Sequence, residues 1–175
     1  MPTDSSSRPA LLVSSCLLGQ PVRYDGQAKA QPEPVLAMLA RHFDLIPVCP
    51  ESLGGLPTPR PPAEIVGGSG AHVLAGAAIV RDATGADVTQ PFTAGARDAL
   101  AIARQRQCKH ALLKALSPSC GNREHYDGSF SGAVRPGQGV AAALLAEAGV
   151  RVWNESEIEA LIRTAGALPA AMQNP

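Results

Sequence analysis

Short apolar runs alternate with alanine-rich stretches of helical period along this chain. Residues 10–14 form a nearly continuous apolar run of strand length. Residues 33–42 place Val35, Leu36, Met38 and Leu39 at helical spacing, with Pro34 in the first turn. A second strand is predicted over 43–48, a third over 110–116 and a fourth over 150–153. Residues 93–107 read as a strong amphipathic helix, and 139–148 as a helix stopped by Gly149. Residues 155–165 form a last amphipathic helix with Ile158, Leu161 and Ile162 on one face. Strands alternating with helices in this way predict one α/β domain: a small, mostly parallel, Rossmann-like sheet flanked by helices.

The interruptions are as informative as the elements. Residues 49–62 hold five prolines and two glycines, a composition too rigid and broken for a regular element. Residues 63–90 read as small strands with a hairpin turn at 83–87. Residues 117–137 read as a long loop. Long loops thus follow the first three strands of the sheet, and open α/β sheets bind ligands outside the carboxyl ends of their strands. The domain is placed at 9–165, with residues 1–8 a flexible extension and 166–175 a frayed tail.

Composition narrows the function. At 175 residues, the chain carries 15 Lys plus Arg against 15 Asp plus Glu, so no basic excess argues for a nucleic-acid polymer as partner. Three Phe, two Tyr and one Trp are too few for a stacking platform along a single strand. No stretch reaches the roughly 18 uncharged apolar residues of a membrane span, so no membrane association is expected. Residues 1–8 are polar, without the apolar core of a signal peptide. The expected location is therefore cytoplasmic, where separated cysteines stay reduced and point to metal binding or catalysis more readily than to disulfides.

Three of the four cysteines follow predicted strands: Cys16, Cys49 and Cys120, each beside Ser, Pro or Gly. Strands ending there bring the three thiols to one edge of the sheet. The bland alternative for each is a small buried hydrophobe, and Cys108, at the end of a helix, is assigned that role. Thiolates suit zinc and iron–sulfur clusters alike. A histidine (His42, His110 or His125) as fourth ligand makes a closed zinc site. With no fourth protein ligand, one iron of a four-iron cluster stays open to substrate.

Glu51 lies two residues beyond Cys49, where its carboxylate can accept a proton beside a Lewis-acidic metal. Ser117 and Ser119 precede Cys120 and can touch substrate or simply cap the turn. Arg23, Tyr24 and Asp25 can read a polar heterocycle or hold their loop by an ion pair. Gly137 and Gly139 precede a helix and can offer backbone N–H groups to a phosphate. The glycine- and proline-rich run 53–60, ending in Arg60, can do the same or serve as a plain turn.

Ser15-Cys16-Leu17-Leu18-Gly19 with Val22 to Gly26, Val48-Cys49-Pro50-Glu51 and Gly54 to Arg60 carry a resemblance. Lys114, Ser117 to Gly121, Tyr126 to Phe130 and Gly137 to Val140 complete it, over 9–165. Together they closely resemble a bacterial family that includes the thiouracil desulfurases. The resemblance implies a [4Fe-4S] cluster held by Cys16, Cys49 and Cys120, with one open iron that binds the substrate's sulfur. It implies that Glu51 assists hydrolysis, and Ser117, beside the third cysteine, is assigned with it as catalytic. It also implies a thiopyrimidine base or nucleotide as substrate, with water attacking the thiocarbonyl carbon and hydrosulfide leaving without redox change. A sulfur carrier, another Lewis-acid cluster enzyme, and a zinc- or cluster-stabilised binding domain remain as alternatives.

Overall fold

Four parallel strands form the centre of the molecule, described by a computed structural model over residues 8–166. The elements in chain order are β1 (Ala10–Ser14), α1 (Glu33–His42), β2 (Asp44–Val48), α2 (Pro50–Leu53) and β3 (Ala63–Val66). They continue with α3 (Gly70–Leu74), β4 (Ile79–Asp82), α4 (Thr89–Gln105), β5 (His110–Leu112) and β6 (Glu124–Tyr126). The chain then runs through β7 (Val134–Pro136), α5 (Val140–Glu147), β8 (Arg151–Trp153) and α6 (Ile158–Ala165). The main sheet has the order β2-β1-β5-β8. Leu11 sits between Leu45 and His110, and Ala111 pairs with Val152. The connection out of β1 runs to one side and the later chain to the other. The switch point therefore lies between β1 and β5, where doubly wound sheets open a crevice.

Alternation along the strands divides the core between two helical layers. Leu11, Val13 and Leu112 point into one cluster with Leu39, Phe43, Ile158 and Leu161, carried by α1 and α6 and their flanks. Leu12, Ala111 and Leu113 point into the other, with Ala99, Ala103, Ala142 and Leu145 of α4 and α5. A third cluster joins Ile65 and Val80 of the antiparallel β3–β4 pair to Phe92, Ala96 and Val140.

Several sequence expectations change in detail. The proline-rich segment after Cys49 begins with a short helix, α2, because Pro50 occupies its first turn, where no amide hydrogen is needed. For the same reason α4 starts four residues before the expected 93, with Pro91 inside its first turn. The third strand stops at Leu112, short of the expected 116. Inside the expected loop 117–137, β6 and β7 pair antiparallel. Helix α6 starts at Ile158 and not at 155. The chain does reverse at 83–87, but Arg81 and Asp87 form only an isolated bridge there, and helix α3 lies between β3 and β4. Arg8 was placed in the flexible extension, yet it pairs with Asp44 at 3.2 Å. Gly166, placed in the tail, donates its N–H to the Ile162 carbonyl. The rest of both expected terminal segments, 1–7 and 167–175, lies outside the described residues.

One backbone contact fixes the segment after Cys49. A Cβ at Gly95 of α4 would lie 1.8 Å from the Pro50 carbonyl oxygen, and one at Gly54 would lie 2.0 Å from the Pro91 carbonyl oxygen. The two glycines let α2 and α4 touch backbone to backbone. Gly95→Ala gains about 1 kcal/mol of helix propensity but forces this contact apart, and overpacking costs up to about 3 kcal/mol. The clash wins. A net loss of about 2 kcal/mol corresponds to a fall in Tm of roughly 4–8 °C for a domain of this size, measurable by thermal unfolding.

Candidate active site

At the carboxyl end of the main sheet lies a cavity of about 450 Å³, and Cys16, Cys49 and Cys120 all line it. Its size is that of a small-molecule site. Each thiol is placed by a different local device. Cys16 sits in the 3-10 turn Ser15–Leu18 that follows β1 directly. Cys49 is the extended residue before α2, whose seat on α4 was described above. Cys120 lies in a tight loop whose N–H, with that of Ser119, is accepted by the Ser117 hydroxyl oxygen at 3.0 and 3.1 Å.

The same loop explains Gly137 and Gly139, and corrects the phosphate reading given to them. Gly137 donates its N–H to the Arg123 carbonyl at 2.9 Å, and Gly139 donates to Gly121 at 2.7 Å. Val140 and Ala141 donate to the carbonyls of Pro118 and Ser119, both at 2.9 Å. The amides at the start of α5 thus hold the Cys120 loop and are not directed to a ligand. A Cβ at Gly139 would come within 2.6 Å of the Ser119 backbone, so this approach requires glycine. Neither glycine lines the cavity. Ser119 does not line it either; its hydroxyl is buried behind the loop, which removes it from the substrate contacts.

Ser117 does line the cavity. Its two oxygen lone pairs are taken by backbone amides, which leaves the hydroxyl proton to donate. Arg23 and Tyr24 face the cavity, whereas Asp25 lies outside it, 3.5 Å from the Arg23 guanidinium and accepting the N–H of Gln27. Asp25 therefore holds its loop, and the substrate role given to it is withdrawn.

Glu51 enters the cavity wall beside Cys49 and meets a residue the sequence reading left as a loop cation. Arg60 Nε donates to Glu51 Oε1 at 3.1 Å, and the two side chains are 4% and 16% exposed. The rest of the guanidinium donates to the Val22 and Pro57 carbonyls and to the Thr58 hydroxyl, at 2.9 to 3.1 Å. Burial pushes the Glu51 carboxyl above the ordinary glutamate range, and the charge and hydrogen bond of Arg60 pull it back. A carboxylate so placed is a stronger proton acceptor than a solvated one.

Other residues, given no site role from the sequence, also reach the cavity. Lys114 lines the cavity and pairs with Glu155 at 3.3 Å, while Glu155 also accepts the Ala115 N–H. Glu64, Tyr126 and Phe130 complete the far wall. Leu116 adopts φ +67°, an unfavourable conformation for a leucine, at the cavity edge.

The donor set fits a sulfur-ligated cluster. All three cysteines are free thiols. Burial, then the neighbouring Cys49, pushes Cys16 up to about 11, opposed by Lys114 and Arg23. Burial likewise raises Cys120, opposed by a Ser14 hydrogen bond and reinforced by Cys49 and Cys16. Thiols raised like Cys16 and Cys120 ionise readily only against a positively charged centre. No histidine lines the cavity. His42 adjoins Gly166, His72 caps α3, His110 accepts from the Trp153 indole, and His125 Nδ1 donates to the Tyr126 carbonyl. The closed three-cysteine, one-histidine arrangement is thereby set aside. Among the described residues no three acidic, cysteine or histidine side chains crowd as closely as a single ion requires, whereas a cluster is wider than an ion. Cys108 does not line the cavity.

Comparison with known proteins bears on this arrangement directly. The model of the 2-thiouracil desulfurase family matches residues 11–157. The chain belongs to that family. It is 44% identical to YbbK of Bacillus subtilis (strain 168) over 152 residues, covering 87% of this chain and 99% of YbbK. It also superimposes, with a TM-score of 0.79 and 41% identity, on a [4Fe-4S]-dependent thiouracil desulfidase, TudS, over 90% of this chain and 97% of that one. The match spans all three cysteines and ends at Glu157. Membership of a desulfurase family makes this protein an enzyme. Among the described residues no helix is long and apolar enough to cross a membrane.

Glu157 ties the ligand loop to the last helix. Its carboxylate accepts Arg123 at 2.6 Å, Asn122 Nδ2 at 2.9 Å and the Asn154 N–H at 3.1 Å. The Arg123 hydrogen bond first, and those of Asn122 and Asn154, hold its carboxyl below the ordinary 4.5. A depressed pKa stabilises the fold above the unfolded value and loses that contribution as pH falls through the folded one. Tm should therefore decline as pH drops below about 4.5. Glu157→Gln should cost about 1 kcal/mol at pH 7 and flatten that decline, as read by thermal melts across the acid range.

Proposed function

We propose that this enzyme removes sulfur hydrolytically from a thiolated pyrimidine, taken as the free base or its nucleotide, with residues 9–165 as the catalytic unit in the cytoplasm. The observation that carries this reading is the convergence of three free thiols, the buried Glu51–Arg60 pair and the Ser117 hydroxyl on one cavity. Cys16, Cys49 and Cys120 would hold a [4Fe-4S] cluster by three irons and leave the fourth without a protein ligand. When bound, such a cluster supplies a Lewis-acidic iron toward the sulfur of the substrate, with no net redox change.

The chain's own residues perform the proton chemistry. Glu51 accepts a proton from water as the water oxygen attacks the ring carbon that bears sulfur. Arg60 keeps that carboxylate in the cavity wall through a single Nε–H···O bond while its other donors are spent on two backbone carbonyls and the Thr58 hydroxyl. Ser117, whose oxygen is held by two amides, aims its O–H at the negative charge that develops on the ring. Arg23 and Tyr24 contact the polar rim of the ring. The C–S bond breaks as the new C–O bond becomes a carbonyl, and sulfur leaves as hydrosulfide.

Two experiments test this reading. Cys16→Ala, Cys49→Ala and Cys120→Ala should each abolish cluster assembly on anaerobic reconstitution with iron and sulfide, read as iron content and absorbance. Cys108→Ala should retain both, and equal loss there would overturn the ligand assignment. Glu51→Gln should keep the cluster absorption but lower sulfide release from 2-thiouracil by roughly a hundredfold, the scale of a lost general base. Near-normal turnover would reduce Glu51 to a structural partner of Arg60.

A further inference from the structure

This chain has three Phe, two Tyr and one Trp, and their distribution is uneven. Phe43, Phe92 and Trp153 are buried in the core. Tyr24, Tyr126 and Phe130 all line the thiol cavity. Tyr24 and Phe130 are 40% and 39% exposed there, so their rings are open to an occupant. Tyr24 comes from the loop after β1, and Phe130 from the connection between β6 and β7. Half of the aromatic side chains thus serve one cavity.

Phe130 is held in place. Its backbone sits at φ +56°, a conformation a phenylalanine does not choose freely. Glu64, a buried residue of β3, accepts the N–H of Phe130 at 3.2 Å and that of Gly128 at 2.9 Å, both on Oε1. Asp127 accepts the N–H and hydroxyl of Ser129, and its own N–H donates to the Ala133 carbonyl, closing the loop on itself. Gly128 lies so close to β3 that a Cβ would meet the Ile65 carbonyl at 2.6 Å. Among the described residues no ion pair reaches Glu64, and its bonds to the loop are to backbone amides. The buried carboxylate therefore spends itself on the geometry of this loop.

We infer that Phe130 is a specificity-determining wall that selects flat, unsaturated rings, and that Glu64 is the positioning residue that presents it. A flat π-face stacks on the phenyl ring, whereas a puckered, saturated ring of the same size and polar groups loses that contact. This deepens the thiopyrimidine reading and rests on it for the identity of the ring, but not for its flatness. The amide-accepting role of Glu64 needs an oxygen and not a charge, so a glutamine can replace it and an alanine cannot.

The test uses the anaerobically reconstituted holoenzyme, with iron content measured for each variant. Phe130→Ala should raise KM for 2-thiouracil roughly tenfold, the scale of one lost stacking contact, and leave kcat within about twofold. Calorimetric binding of uracil should weaken by the same factor, while binding of dihydrouracil, weaker from the start, should not change. Glu64→Ala should reproduce these shifts, Glu64→Gln should restore KM to within about twofold, and the double variant Glu64→Ala/Phe130→Ala should be no worse than Phe130→Ala. Equal binding of uracil and dihydrouracil by the unaltered enzyme, or an unchanged KM in Phe130→Ala, would overturn the wall. Multiplying effects in the double variant would overturn the positioning role. Phe130 is partly exposed, so its variant keeps the first question answerable even where Glu64→Ala fails to fold. Uracil binding that depends on Phe130 in an enzyme releasing no sulfide from any thiopyrimidine would sink the desulfurase reading and leave the wall standing.

Discussion

The buried guanidinium of Arg60 is the interaction on which the site depends. Its backbone N–H reaches the Tyr24 carbonyl at 2.7 Å and its side chain reaches Val22, Pro57, Thr58 and Glu51. One residue thereby joins the loop after β1, which follows Cys16, to the segment after β2, which follows Cys49. A planar fork with five donors can satisfy this many acceptors at once; a lysine cannot. Burying the charge is costly unless it is paired, and Glu51 supplies the pair. The arrangement is reciprocal: the carboxylate that balances Arg60 is the one placed to accept a proton.

A second constraint acts on the third thiol. The loop that carries Cys120 has many carbonyls and few regular bonds, and these carbonyls are met by the amides that begin α5. Helix-start amides that elsewhere receive anions here receive the protein's own backbone. The Ser117 oxygen does the same work from the other side, with the N–H groups of Ser119 and Cys120. Cys16 and Cys49 are fixed by the edges of a parallel sheet and by two glycines, and Cys120 by a helix terminus. These backbone contacts seat the three thiols, and two side chains, Arg60 and Ser117, tie the loops around them.

The parts of this organisation legible in the sequence were those with a local signature. Apolar runs located the four strands of the main sheet, and a cysteine after each of three runs located the site. The short helix α2 was missed because five prolines in 49–62 outweighed the fact that Pro50 stands where a helix tolerates it. The β6–β7 pair was missed because its strands have three residues each, too few for a period. Gly137 and Gly139 were read as donors to a phosphate because the true partner of their amides lies in the loop 118–123, and no spacing rule reveals that. Glu64 was invisible as a site residue, and Arg60 was read only as a cation beside backbone donors, for one reason. A charged residue in a loop or short strand looks solvated until the fold shows which carbonyls or amides enclose it.

The cavity is assembled from two sources with separate duties. Cys16, Cys49 and Glu51 stand directly after strands of the main sheet, and Ser117 and Cys120 lie in the loop beyond β5 that rests on the start of α5. The opposite wall comes from β3 and the β6–β7 connection, which are not part of that sheet. Glu64 is the joint between them, since its strand packs on α4 and α5 while its carboxylate holds the Phe130 loop. A change in the β6–β7 connection can therefore alter which ring is admitted without moving a cysteine. A change in the sheet cannot spare the thiols.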